Sequence, residues 1–335
     1  MKKIVLLVSA ALIVLCCVYG CSKGGGNAPT PPGCTKAPVV SAGDDIVATG
    51  ETTVTLKGTT TETTGTWAIV DGEGGKIETG TSVKFTGLLK SSYTLRFTSQ
   101  NDCGKSSDDV AVTLNPDCGT DQTVTQMGDN IHWVEQSCFR INAGPFKIYT
   151  DPYNIKTNDT ADIVVITHSH TDHFSPADLD KIVGPNTILI APADVNYTGH
   201  VGKRIILTPG QQATAFNCVT VKAVPAYNIT KTSYHPKSNN WVGYIITVNG
   251  VVIYDAGDTE RIPEMKDFTC DIALLPLGQT YTFNSVDDAV EAAKDVHAKL
   301  AIPMHYGLFE GTAADAASFK TKLNGTIPVI IKAKE

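Results

Sequence analysis

Thr167-His168-Ser169-His170-Thr171-Asp172-His173 is the stretch whose reading decides the fold. The chain has eight His, and three of them fall within these seven residues. The preceding Ile163-Val164-Val165-Ile166 is wholly apolar and reads as a buried strand. The His-rich segment is then the loop at that strand's carboxyl end, where α/β proteins build their sites. The pattern HxHxDH puts four ligand-competent side chains into one short turn. Neutral imidazole and carboxylate suit zinc and similar divalent ions, so the spacing predicts a metal site of dinuclear type.

Outward from this loop, apolar runs alternate with helical segments. Ser175-Pro176-Ala177-Asp178 reads as an N-cap, a Pro at the first helical position and an acid completing a capping box. Strands are expected at Thr187 to Ile190, Val219 to Val224, Tyr244 to Val248, Val251 to Tyr254, Asp271 to Leu275, Leu300 to Pro303 and Val329 to Ile331. Asn249-Gly250 between two of these is a hairpin signal. Val286 to His297 and Ala313 to Leu323 read as helices. Two further segments carry the pattern, Tyr254-Asp255-Ala256-Gly257-Asp258-Thr259, which resembles a strand-end Asp that bridges two metals, and Ile302-Pro303-Met304-His305-Tyr306, which resembles a late His ligand.

Taken together, HxHxDH, the AGDT segment and the late His resemble the metallo-β-lactamase fold, over roughly Thr125 to Lys334. The opening Gln136 to Ile141 and Ile148 to Pro152 look like that family's first hairpin. The likeness is nearest to predicted metal-dependent hydrolases related to ascorbate-phosphate lactonase and N-acyl-phosphatidylethanolamine phospholipase D. It implies a four-layer αβ/βα sandwich and two divalent ions, zinc first, with manganese or iron as alternatives. It implies that His168 and His170 hold one metal, that Asp172, His173 and His305 hold the other, and that Asp258 bridges them. At the strand end Pro225-Ala226-Tyr227-Asn228, where the family usually has a His, this chain has Asn228. Either Asn228 coordinates through its oxygen, or His235 of Tyr234-His235-Pro236 reaches in; imidazole is the better ligand. Asp172 and Asp258 are the expected catalytic carboxylates, to orient a metal-activated water or shuttle its proton. Tyr227, Trp241 and Tyr281 lie on loops near ligand-bearing strand ends and are candidate substrate contacts, with core packing as the competing reading. His132, His200 and His297 read as structural or surface residues.

Residues 38–116 have a different rhythm: short alternating runs such as Thr66-Trp67-Ala68-Ile69-Val70 and Tyr93-Thr94-Leu95-Arg96-Phe97, separated by Gly and polar turns. This reads as a small all-β sandwich. It resembles PKD-like and other immunoglobulin-like modules of bacterial surface proteins, with Trp67 as its core tryptophan. Such a sandwich places Cys34 and Cys103 at the same end, which implies a Cys34–Cys103 disulfide and leaves Cys118 unpaired. Cys138, Cys218 and Cys270 adjoin apolar runs and read as small buried hydrophobes. No CxxC spacing marks a structural zinc knuckle.

Met1 to Gly20 has two Lys followed by an apolar run, the pattern of a secretory signal peptide. Val18-Tyr19-Gly20-Cys21 resembles a bacterial lipobox, in which Cys21 carries lipid and anchors the chain to a membrane. Ser22 resembles the outer-membrane sorting pattern. Residues 21–37 form a Gly- and Pro-rich tether, 117–124 a linker and 125–335 the hydrolase domain. The expected location is the cell envelope, outer membrane or cell surface.

The 335 residues are 42% hydrophobic and 18% charged, with net charge −7. Met1 to Gly20 contains two Lys and no acid, so without it −7 becomes −9. An acidic chain lacks the basic surface that nucleic-acid binding demands. The expected function is metal-dependent hydrolysis of an ester, lactone, phosphodiester or amide in a small molecule or lipid. The alternative is a non-catalytic, metal-binding surface lipoprotein with a binding or adhesion role.

Overall fold

The computed structural model describes residues 35–80 and 82–335. The signal segment, Cys21, nearly all of the tether and Cys34 lie outside the described residues.

The first part is all β: β1 (Val40–Ser41), β2 (Ile46–Thr49), β3 (Thr53–Thr55), β4 (Thr59–Thr60), β5 (Thr66–Asp71), β6 (Lys76–Glu78), β7 (Lys84–Thr86), β8 (Ser91–Asn101) and β9 (Gly104–Asn115). One sheet runs β2-β9-β8-β5 and another β3-β7-β6, while β1 pairs with β4. The β8–β9 hairpin buries alternate residues: Tyr93, Leu95 and Phe97 on one strand, Val110, Val112 and Leu114 on the other. Phe85 and Leu56 from the facing strands and loops complete the same core. Trp67 is only half-buried; it packs on Phe97 with ring centroids 5.0 Å apart, and Phe85 and Tyr93 take the centre. Cys103, in the β8–β9 turn, is disulfide-bonded.

The linker corrects two cysteine expectations. Cys118 is not unpaired and Cys218 is not a plain buried hydrophobe: they form a disulfide, Cα atoms 5.4 Å apart. The linker does not leave freely. Gln122 N–H donates to Asn249 O at 2.8 Å, so the chain runs beside the second part and brings Cys118 to a turn 100 residues away. Lys90 adds a second tie, donating to Pro145 O at 2.7 Å and to Asp162 at 2.6 Å.

The second part begins with α1 (Val124–Asp129). Then β10 (Ile131–Glu135), β11 (Cys138–Ala143), β12 (Phe146–Thr150), β13 (Ile163–Val165), β14 (Ile188–Ala191) and β15 (Lys203–Ile206) form a six-stranded sheet in that order, with α2 (Pro176–Ile182) between β13 and β14. The second six-stranded sheet runs β16 (Gln212–Ala215), β17 (Val219–Pro225), β18 (Val242–Val248), β19 (Val251–Asp255), β20 (Ile272–Pro276) and β21 (Leu300–Met304), with α3 (Val286–Asp295) and α4 (Ala313–Leu323) after β20 and β21.

Strand β13 shows the layering. Ile163 and Val165 join the core shared by both sheets, whereas Val164 packs with Leu179 and Ile182 of α2. A strand buried on both faces is apolar throughout, as the sequence of β13 is. Phe319 of α4 and Ala289 of α3 pack with the second sheet. The result is the expected helix–sheet–sheet–helix sandwich. Asn249 and Gly250 turn the β18–β19 hairpin with both φ positive, 49° and 74°.

Three local expectations change. Asp178 does not close a capping box: Ser175 caps α2, and Asp178 instead accepts from Asn154 N–H and Ile155 N–H. Helix α3 stops at Asp295, because His297 has φ of 54°. Val329 makes an isolated bridge to Ala301 rather than a strand.

Candidate metal centre

Four strand ends bring the site together. The loop after β13 carries His168, His170, Asp172 and His173. Asp258 follows β19, His305 follows β21, and His235 comes from the loop between β17 and β18. Three groups have ligand atoms close enough to share an ion: His168, His170 and His235; His168, His173 and Asp258; Asp172, His173 and His305.

Asp258 is central. Its carboxylate lies 3.3 Å from His173 Nε2, 3.4 Å from His235 Nε2, 3.2 Å from His305 Nε2 and 4.0 Å from His168 Nε2. Asp172 Oδ2 lies 3.6 Å from His173 Nε2 and 3.8 Å from His305 Nε2. The Asp172 side chain is 21% exposed and that of Asp258 only 4%, so Asp172 is the more open of the two carboxylates.

Burial drives the His168 imidazolium well below its usual pKa, and His173 adds to this. Burial also lowers His170, with His235 adding. Burial opposes charge on His173 as well, but Asp258 and Asp151 overcome it and hold its pKa well above the usual value. For His305, burial is outweighed by Asp258 and Glu310, giving about 9. Burial would raise Asp258, but His173 and His305 keep it well below the usual carboxylate range.

A metal fits this donor set. His173 Nε2, His235 Nε2, His305 Nε2 and Asp258 Oδ1 are buried without a hydrogen-bond partner, and they converge on one another. Buried polar atoms are normally satisfied; bound divalent cations would satisfy these.

Outer partners fix the rings, as metal-ligating histidines usually require. Asp151 Oδ2 lies 2.7 Å from His173 Nδ1 and accepts from Thr167 Oγ1 at 2.7 Å, and Thr167 Oγ1 in turn lies 2.9 Å from His168 Nδ1. Glu310 Oε1 lies 3.0 Å from His305 Nδ1. Gln136 donates to Asp172 at 3.0 Å, and its backbone O accepts from His305 N–H at 3.0 Å. Gln136, Asp151 and His305 all have positive φ, at 51°, 37° and 58°, a strain that clusters at functional sites.

The two candidates Asn228 and His235 differ in orientation. Asn228 Nδ2 donates to Tyr281 O at 2.7 Å and to Lys231 O at 3.2 Å, and lies 3.2 Å from His235 Nδ1. Asn228 thus stands behind the His235 ring, whose Nε2 faces Asp258. Glu260 ties the intervening loop, accepting from the N–H groups of Ile229, Thr230 and Lys231 at 2.9 Å each.

The aromatic candidates separate. Trp241 lines the centre, its ring centroid 4.9 Å from His168, 4.7 Å from His170 and 5.6 Å from His235. Tyr281 is half-buried beside Tyr234 at 4.8 Å. Tyr227 is buried in the core, and its hydroxyl is committed to Glu264 at 2.8 Å. This corrects the substrate-contact expectation for Tyr227: its side chain turns away to an ion pair that also includes Lys237.

Sequence reading did not single out Asp151, Glu310, Gln136, Asp194 or Glu260 as functional. Asp151 alone left a signal, as an acid directly after a buried strand next to β13. Gln136, Asp194 and Glu260 are paired by tertiary contact at separations no spacing rule reveals, and Glu310 meets His305 from the same strand-end loop.

Residues 130–305 match the model of the β-lactamase superfamily domain. The chain is 32% identical over 225 residues to a UPF0173 metal-dependent hydrolase of Thermoplasma volcanium, covering 62% of this chain and 98% of that one. It is 29% identical over 224 residues to a UPF0173 metal-dependent hydrolase of Bacillus velezensis, covering 63% and 97%. Among solved structures, it resembles a Parabacteroides distasonis protein at 33% identity and TM-score 0.55, covering 61% of this chain and 93% of that one. It also resembles the metallo hydrolase Igni18 of Ignicoccus hospitalis at 25% identity and TM-score 0.52, covering 61% and 95%. With a dense His and Asp cluster at the strand ends and these relatives spanned almost end to end, the chain belongs to the β-lactamase superfamily, among its UPF0173 metal-dependent hydrolases.

Proposed function

We propose that this metal-dependent hydrolase works with two divalent ions, zinc first, one held by His168, His170 and His235 and the other by Asp172, His173 and His305, with Asp258 between them. The observation that carries this reading is the set of four unpartnered buried atoms, Asp258 Oδ1 and the three imidazole Nε2 atoms of His173, His235 and His305 around it. Bound divalent ions would supply Lewis acidity and lower the pKa of coordinated water toward about 7.

The residues divide the remaining work. Asp258, buried and ionised, offsets cationic charge and stays fixed. Asp172, partly open and held by Gln136, moves the proton between the attacking water and the leaving group. Asp151 and Glu310 hold His173 and His305 in place. The scissile bond is an ester, lactone, phosphodiester or amide, in a small molecule or lipid at the cell envelope. The lipobox-like Cys21 supports that location, and the β-rich first part then serves as a spacer from the membrane. Metal analysis of the zinc-loaded protein, followed by turnover across these four bond classes, tests the reading. About two metals per chain and hydrolysis abolished in Asp258→Ala are expected. One metal or none, or undiminished turnover in Asp258→Ala, rejects it.

A further inference from the structure

Beyond residue 130, six large hydrophobic side chains are strongly exposed among the described residues, and four of them lie on the segments flanking His235 and His305: Ile229 at 49%, Tyr234 at 41%, Leu308 at 46% and Phe309 at 54%. They lie on two short segments. Residues 229–234 lead into His235, and residues 306–309 run between His305 and Glu310. The segments meet at the loop carrying Tyr281, whose N–H donates to Glu310 at 2.6 Å and whose carbonyl lies 3.2 Å from His235 Nδ1. Tyr234 packs against Tyr281, and Phe309 lies 6.4 Å from Tyr153, two residues from the Asp151 that holds His173.

The charge pattern is as telling. The two segments contain one charged side chain, Lys231, and its ammonium turns inward to the carbonyls of Gln279, Thr282 and Phe283. An exposed apolar patch next to a reactive centre marks a binding surface. An uncharged rim gives no fixed cation for a phosphate.

We propose that this rim binds the substrate's apolar part, so the enzyme hydrolyses an uncharged carboxylic ester, lactone or amide bearing an aliphatic chain or ring. The inference rests on the metal-dependent reading above and selects among its bond classes. The test is calorimetric binding of acetohydroxamate and octanohydroxamate to zinc-loaded protein, wild type and Leu308→Ser/Phe309→Ser, after metal analysis. In the wild type the octanoyl probe binds at least about tenfold tighter, as several buried methylenes require. The variant, altered only at exposed positions, loses most of that ratio. Equal affinities, no binding of either probe, or a ratio kept in the variant overturns the rim assignment. A wild-type dimer that the variant converts to monomer gives the rim to a second copy and likewise overturns it. Failure to take up zinc is the separate result that removes the metal reading itself.

Discussion

Glu310 and His305 form a buried pair, Oε1 to Nδ1 3.0 Å, five residues apart at the end of β21. The same carboxylate accepts from Thr280 N–H at 2.7 Å and Tyr281 N–H at 2.6 Å. Tyr281 O in turn meets Asn228 and His235. One acid therefore connects a candidate ligand on one side of the centre with a candidate ligand on the other.

Glu310→Ala should weaken zinc binding by roughly 10- to 100-fold, the usual effect of losing an outer partner. It should also lower the unfolding midpoint, because buried donors lose their acceptor. Competition against a chelator reads the first effect and thermal unfolding the second. Wild-type affinity in this variant would remove Glu310 from the site.

His235→Ala should drop one metal from the protein, whereas Asn228→Ala should keep both at reduced affinity, since Asn228 orients rather than ligates. Metal content after dialysis separates them. Loss of a metal in Asn228→Ala with full content in His235→Ala would reverse the assignment.

The metal-free protein should lose stability as pH rises from 6.5 toward 9. The pKa of His305 is raised from 6.5 to about 9, and that of His173 is raised too. Their stabilisation is fully present below the unfolded value and disappears as pH passes through the folded one. His168 and His170 are lowered, so stability also falls below about 6.5. In the metal-loaded protein the imidazoles bind as neutral ligands, and the alkaline decline should vanish. Unfolding midpoints of both forms between pH 5 and 9 decide it; a flat metal-free profile contradicts the charge assignment.

Trp241 Nε1 donates to Asp194 at 2.6 Å, and Ser169 Oγ donates to the same oxygen at 2.7 Å. This brace holds the indole against three imidazoles. Zinc titration should change the indole emission of the wild type, and Trp241→Phe should abolish most of that change while weakening binding. An identical emission response in Trp241→Phe would place the effect on Trp67 or Trp133.

Cys118→Ser/Cys218→Ser should destabilise the second part. A bridge closing about 100 residues constrains the unfolded chain by up to roughly 4.7 kcal/mol. Denaturant midpoints of the wild type, oxidised and reduced, should differ in the same direction; coincident midpoints would show the bridge to be neutral.

The sequence by itself determined the local matters. Apolar β13 followed by HxHxDH announced a buried strand with ligands at its end, and Asn249-Gly250 announced its hairpin. Asp258 and His305 were readable through the resemblance of their segments to the metallo-β-lactamase pattern; they lie just past β19 and β21. Only the tertiary structure shows that His235 turns its Nε2 toward Asp258 while Asn228 stands behind that ring. Tertiary packing also turned Tyr227 away, joined Cys118 to Cys218 across 100 residues and brought Asp151, Glu310 and Asp194 behind the ligands. The physical reason is common to all of them. Ligand loops and strand ends obey short-range periodicity, whereas a partner across the centre is selected by where two sheets and their loops pack, and that is not written in the spacing of either residue's own segment.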